Sequence, residues 1–218
     1  MNERRGTMII KGKSVGAAPS SGVTSSLECP SCGHAGTFEV LLNTSSDFLL
    51  DGVIRIGERR CPNVDCNAIL FIVWDHNKIV RTYPSPRLEL DRTNIPVPVV
   101  SALEEAITCH ANECFIAGAI MIRKCLEELC RDRNAQGKDL KQRIRDLGTK
   151  IILPKDLLDG LDDLRLLGND AAHIESREYD QVGKEEVEVG IEFTKEVLKA
   201  AYQYSVLLKR LRGLKKNP

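Results

Sequence analysis

Two pairs of cysteines limit what the first part of this chain can fold into. Cys29 and Cys32 sit in Cys29-Pro30-Ser31-Cys32-Gly33-His34, and Cys61 and Cys66 bracket Pro62-Asn63-Val64-Asp65. Each pair reads as a knuckle, a tight turn that aims two thiols the same way, and Gly33 permits the first turn. Four soft ligands converging from two turns are what a tetrahedral zinc ion requires. His34 is an alternative to one of the thiolates, and the plainer alternative is four unrelated cysteines in a small β unit. With Cys29, Cys32, Cys61 and Cys66 as the ligands the site is closed and has no position for water. One zinc ion per chain would then be structural rather than catalytic, and in a region without a large apolar core it would supply much of the folding energy.

Composition supports metal over disulfides. The chain has 8 cysteines in 218 residues. No segment approaches the ~20 apolar residues of a membrane span, and the start MNERRGTMIIKGKSVG lacks the apolar stretch of a secretory signal. A cytoplasmic location follows as an expectation, and cytosolic thiols stay reduced. Cys109, Cys114, Cys125 and Cys130 fall in apolar surroundings and read as core packing. The 31 basic and 31 acidic residues balance to a formal net charge of +0. That excludes a bulk polycation but leaves room for a local basic stripe.

Hydrophobic patterning divides the chain into a tail and two parts. Residues 1–27 are rich in Gly, Ser and Lys without apolar periodicity, and read as a flexible tail. Residues 28–90 read as β: Thr37–Leu42, Val53–Arg60, Ile69–Trp74 and Ile79–Tyr83 are β-branched and aromatic, with Asp47, Gly52, Asn63, Asn67 and Asn77 as turn residues. Prolines 84, 86, 96 and 98 mark an extended linker. Residues 91–218 read as helical. One helix starts near Pro98 with Ser101 and Glu104 as a capping box. A second spans Glu113–Arg133 with Phe115, Ala119, Ile122, Leu126 and Leu129 buried. Leu140, Ile144 and Leu147 make a third, stopped by Gly148, and Pro154 opens a fourth. The last, from about Lys184 to Leu211, carries Val189, Phe193, Val197, Ala200, Tyr204, Leu207 and Leu211 on one face. The fold class is therefore α+β, a small β zinc ribbon followed by an all-α up-and-down bundle.

The fourth helix carries a second candidate site, in Leu164-Arg165-Leu166-Leu167-Gly168-Asn169-Asp170-Ala171-Ala172-His173. At the helical period Arg165, Asn169 and His173 fall on one polar stripe beside a core-facing set of Leu157, Leu161, Leu164, Gly168 and Ala172. A guanidinium clamps phosphate, an imidazole moves protons near neutral pH, and an amide orients either. Those groups suffice for metal-independent RNA cleavage. The competing reading pairs Arg165 with Asp162 and leaves His173 to satisfy the helix end. The basic run Lys209-Arg210-Leu211-Arg212-Gly213-Leu214-Lys215-Lys216 either contacts phosphates or is a solvated helix end.

The C-P-N-x-x-C pair, the start Asn94-Ile95-Pro96-Val97-Pro98-Val99, the segment AGAIMIRKCLEEL and LRLLGNDAAH together resemble the bacterial family named domain of unknown function 4145. That family is similar to the HEPN superfamily of helical bundles, which serve as RNases or RNA-binding modules in toxin–antitoxin, antiviral and restriction systems. The resemblance implies a HEPN-like bundle. It also implies a homodimer, for which the long apolar stripe Val189–Leu211 is a second motive. The family hallmark is an Arg followed by a polar residue and, four to six residues on, a His. By resemblance Arg165 and His173 take those places. Here seven residues separate them and Leu166 follows the Arg, with Asn169 as the nearest polar group. Two functions remain as expectations. One is a module of a bacterial defence, restriction or toxin-type system that binds RNA, other nucleic acid or a partner protein, with no membrane association. The other is a metal-independent endoribonuclease using Arg165, Asn169 and His173.

Overall fold

The computed structural model describes residues 2–4, 7–19, 25–41, 46–172 and 182–214. The chain forms two compact units, Met1–Glu89 and Leu90–Pro218.

The first unit is antiparallel throughout. Its strands are β1 (Asn2–Arg4), β2 (Thr7–Ile9), β3 (Val15–Pro19), β4 (Ser25–Glu28), β5 (Ala35–Val40), β6 (Ser46–Leu50), β7 (Ile54–Arg60), β8 (Ile69–Asp75) and β9 (Lys78–Tyr83). β1 and β2 pair with each other. β7 organises the remaining sheet. β8 pairs along its whole length, from Ile54 opposite Asp75 to Arg60 opposite Ile69, whereas β6 pairs near its start and β5 near its end. β3 extends the sheet beyond β6, β4 pairs β5, and β9 pairs β8.

Strands therefore occupy much of the span expected to be a flexible tail. β3, Val-Gly-Ala-Ala-Pro, is made of small residues, so it shows no apolar alternation in sequence; it is held instead by its register with β6 and by Asp51, whose carboxylate accepts bonds from the Lys13 and Ser14 backbone N–H groups at 3.0 and 2.8 Å. Asp47, expected in a turn, lies in β6 and is buried. Gly52, Asn67 and Asn77 do occupy turns, all with positive φ.

The apolar core of this unit is small: Phe38, Leu70, Ile72 and Trp74, joined by the candidate ligands Cys29 and Cys61. Period-two alternation puts Leu70, Ile72 and Trp74 on one face of β8, opposite Arg59, Gly57 and Arg55 of β7. Arg59 is 0% exposed and its guanidinium lies 4.8 Å from the centre of the Trp74 ring. Two of its nitrogens donate to the Asp47 carboxylate at 3.0 and 2.9 Å, and Arg55 donates to the same group at 2.9 Å. Gly57 makes the room: a Cβ there would stand 2.0 Å from Asp47 Oδ1. Burial acts to raise the pKa of Asp47, but Arg59 and Arg55 outweigh it and hold the carboxyl below its ordinary value.

The second unit is helical: α1 (Val97–Ala111), α2 (Phe115–Asp132), α3 (Leu140–Lys150), α4 (Lys155–Ala172), α5 (Lys184–Leu198), a π-helical turn (Lys199–Gln203) and α6 (Tyr204–Gly213). α2 packs against α1, α3, α4 and α5. Its stripe Ala119, Ile122, Leu126 and Leu129 is buried as its period predicts. Pro96 is the N-cap of α1, so Ser101 and Glu104 lie inside the helix and form no capping box; Glu104 pairs with Arg92. Gly148 lies within α3 rather than stopping it, at a close approach to Leu158. In α4 the buried positions are Leu161, Leu164, Leu167 and Gly168, whereas Leu157 is half-buried and Ala172 is exposed.

The last helix differs most from its sequence reading. The face turned to the core is Val187, Gly190, Ile191, Thr194, Val197 and Leu198, continued by Ala201 and Tyr202. Of the expected stripe only Val197 is buried, and Val189, Tyr204, Leu207 and Leu211 are exposed. The π turn adds a residue to one turn and re-phases the helix beyond it. It is braced by Arg133, which stacks on Tyr202 at 4.1 Å and donates to the Ala201 carbonyl at 2.9 Å; the Tyr202 hydroxyl donates to Asp132 at 2.8 Å.

The buried Asp47–Arg59 pair supports a direct test. Asp47→Ala leaves the Arg59 guanidinium in the core without its anion, and should cost about 3–5 kcal/mol. The readout is urea unfolding followed by the fluorescence of Trp74, the single tryptophan of the chain. Because the folded pKa is depressed, the contribution of the pair is present above the unfolded value of about 3.9 and is lost as pH falls through the lower folded value. A loss under about 1 kcal/mol would show that the pair contributes little.

Candidate metal centre and polar helix face

The two cysteine pairs converge. The Sγ atoms of Cys29, Cys32, Cys61 and Cys66 all lie within 4.8 Å of one another. Cys29 Sγ is 3.9 Å from Cys66 Sγ, and Cys32 Sγ is 3.9 Å from Cys61 Sγ. A tetrahedral ion with metal–sulfur bonds of ~2.3 Å separates its sulfurs by ~3.8 Å, so the spacing suits such an ion. None of the four is in a disulfide. His34 is not among the converging ligands.

Local backbone chemistry explains how each pair is aimed. In the β4–β5 connection the Cys29 N–H donates to His34 O at 3.0 Å and the Gly33 N–H donates to Cys29 O at 2.9 Å. Gly33 closes that turn at φ +69°, in the left-handed region that glycine enters at little cost. In the β7–β8 connection the Cys61 N–H donates to Ala68 O at 2.8 Å, and the Cys66 and Asn67 N–H groups both donate to Asn63 O at 3.0 Å. Asn67 holds φ at +51°.

Asn63 also acts through its side chain. Its Oδ1 accepts from the Asp65 N–H at 3.0 Å, and its Nδ2 points to Cys32 Sγ at 3.7 Å. The sequence marked Asn63 only as a turn former. Its approach to Cys32 joins the two cysteine pairs across 31 residues of sequence, so no local spacing marks it.

The four thiols are not equivalent. Burial pushes Cys61 up to about 12, whereas the Ala68 N–H and the Ser31 hydroxyl pull Cys66 down to about 7. Four sulfurs in mutual contact carry their charge well only around a cation, and the cluster can hold a metal ion in the manner of a zinc ribbon.

The remaining cysteines divide. Cys125 and Cys130 are fully buried in α2, and burial pushes their thiols up to about 12 and about 11. That matches core packing. Cys109 is half-buried in α1, and Cys114, expected in the core, is the exposed N-cap of α2.

On α4, Arg165 and Asn169 stand four residues apart on one face, both half-buried. His173 lies outside the described residues. The Arg165 Nε donates to Asp162 Oδ1 at 2.6 Å, and this bond is the first cause of the lowered pKa of Asp162. Lys141 of α3 approaches the other carboxylate oxygen at 3.9 Å, and the charge of Arg145 also acts on Asp162. Arg123 of α2 donates to the Arg165 carbonyl at 3.3 Å. Gly168 permits this crossing, since a Cβ there would meet Arg123 Cβ at 2.5 Å. Lys141 and Arg145 were missed in the sequence because no motif marks them. The available signal was the basic bias of α3 between its buried Leu140, Ile144 and Leu147.

Among the described residues no helix is long and apolar enough to cross a membrane. No curated protein and no solved structure matches the chain. The family model described as domain of unknown function (DUF4145) matches residues 104–217, from within α1 to beyond α6 and over more than half of the chain, and the chain belongs to that family.

Proposed function

We propose that the protein is a non-catalytic nucleic-acid-binding module, a zinc ribbon joined to a HEPN-like helical bundle that grips phosphates with α3 and α4. The observation that carries this reading is the charge imbalance around Asp162. One carboxylate, Asp162, is shared by three cations, Arg165, Lys141 and Arg145, on the face where α3 meets α4. Such a face attracts the phosphate backbone without regard to sequence. The defence, restriction or toxin-type setting is what the resemblance implies for such a module.

Fluorescence anisotropy with a labelled mixed-sequence single-stranded RNA tests this in EDTA. Wild type should bind with strong salt dependence and leave the RNA intact. Lys141→Ala with Arg145→Ala should weaken binding and reduce the salt slope by about one for each contact removed. Absence of binding at about 10 μM protein in ~50 mM salt would overturn the reading. Cleavage in EDTA that His173→Ala abolishes would establish the endoribonuclease instead, with Arg165 and Asn169 as its other residues.

The proposed metal is one structural Zn²⁺ on Cys29, Cys32, Cys61 and Cys66. Four thiolates select a soft ion, and the matched sulfur spacing supports tetrahedral geometry. Since Cys29 and Cys61 are also core residues, the ion would anchor the apolar cluster itself. Purified protein should contain about one zinc per chain by elemental analysis. Cys61→Ser should lose it and render residues 28–90 sensitive to protease. A wild-type β unit that stays protease-resistant after complete zinc removal would refute the structural role.

A further inference from the structure

Two cysteines outside the metal centre meet where α1 ends. The helix closes in a turn with two backbone bonds. The Glu113 N–H donates to His110 O at 3.0 Å, and the Cys114 N–H donates to Cys109 O at 2.8 Å. Glu113, between them, holds φ at +61°. This is the Schellman pattern, in which the residues joined by the outer bond frequently bring their side chains into contact. Here those residues are Cys109 and Cys114. With standard bond lengths, the 2.8 Å bond keeps their Cα atoms within about 6.6 Å of each other, inside the ~4.4–6.8 Å that disulfides span.

The end of α2 supplies a contrast within the same chain. The Ala135 N–H donates to Cys130 O at 2.8 Å, with Asn134 at φ +52°. The turn is the same, but an alanine stands where α1 has its second cysteine. Cys109 and Cys114 are both free thiols, the first half-buried and the second exposed. Among the described residues they gather no third metal-ligating side chain, so the pair is a dithiol and not a metal site.

We propose that Cys109 and Cys114 form a redox-active dithiol, which a small-molecule disulfide such as oxidised glutathione converts to an intrachain disulfide. The exposed Cys114 loses its proton to solvent, and its thiolate attacks one sulfur of the oxidant. The oxidant's S–S bond breaks, and one glutathione leaves as a thiolate that takes up a proton. Cys109 then gives its proton to solvent, its sulfur attacks Cys114 Sγ, and the second glutathione leaves in the same way. Two protein thiols lose two electrons and the oxidant becomes two thiols. Access sets this order, since Cys114 meets the oxidant and Cys109 lies behind it. Burial, and then the nearby charge of Cys114, raises the pKa of Cys109, which suits the second attack better than the first. The turn already positions both residues, so the bridge closes without moving either helix. None of the residues assigned to metal or phosphate takes part, so the dithiol stands or falls apart from those functions.

The full chain equilibrated in glutathione buffers, quenched with acid and digested with trypsin, tests this by mass spectrometry. Residues 93–123 form one tryptic peptide, in which Cys109 and Cys114 are the only cysteines. After oxidation the peptide should lack two hydrogen atoms, and cleavage after Glu113 should leave its halves joined. Half-oxidation should need at least about tenfold less oxidised glutathione in native buffer than in urea, because only the folded turn holds the two sulfurs together. Cys130 should stay reduced in the same native sample. Cys109→Ser, which lacks the second sulfur, should retain glutathione on Cys114, whereas Cys114→Ser should leave Cys109 unmodified. A native peptide that stays reduced or carries glutathione without a bridge would overturn the proposal. So would a bridge that forms as readily in urea, or a Cys109→Ser chain that takes up no glutathione at Cys114.

Discussion

The β unit is built around the requirement that four sulfur atoms meet. Two turns separated by three strands must deliver their thiols to one point within 4.8 Å. That condition fixes which strands are neighbours: β5 has to bring the chain away from the first knuckle, and β7 has to return it beside β5 at the second. The apolar cluster is too small to dictate this arrangement alone, and two of its six buried members are themselves candidate ligands. Cysteine convergence and hydrophobic burial are therefore coupled here, because the atoms that would hold an ion also close the core.

Charge burial is handled differently in the two units. At Asp47 two guanidiniums meet one carboxylate in a nearly dry setting, and Trp74 covers the face of Arg59. Such a group costs several kcal/mol to desolvate, so its worth lies in being fully paired. At Asp162 the carboxylate is more than a third exposed, water screens the pairs, and cations outnumber it. The first arrangement closes a structure. The second stays open to solvent, and under the proposed function its cations would meet phosphate.

Much of this was legible in the sequence, for physical reasons that differ by element. The knuckles were readable because metal ligation demands particular atoms at particular spacing. β7 and β8, α2 and α3 were readable because each buries one regular face, and the positions Leu140, Ile144 and Leu147 are buried as their period requires. β3 and β6 were not. Their pairing depends on Asp51 and on the buried Asp47, and an aspartate in sequence looks like a turn former whether or not a guanidinium waits for it. The Arg165–Asp162 pair was one of two open readings, and the geometry brings the pair together at 2.6 Å. Lys141 and Arg145 come from another helix, so no local pattern could associate them with it.

The last helix shows where periodicity loses its meaning. A stripe of apolar residues identifies a face, but not what covers it. Over α5 the core-facing residues run through Val187, Ile191 and Val197, beside the stripe rather than on it. The π turn then changes the phase, so a count at 100° per residue across Lys199–Gln203 places α6 wrongly. Arg133 stabilises that turn by capping the Ala201 carbonyl, an interaction between residues 68 apart in sequence. One distant arginine thus braces the turn at which the helix changes phase. Beyond that turn α6 buries none of its described side chains, so within the chain its apolar row Tyr204, Leu207 and Leu211 meets solvent.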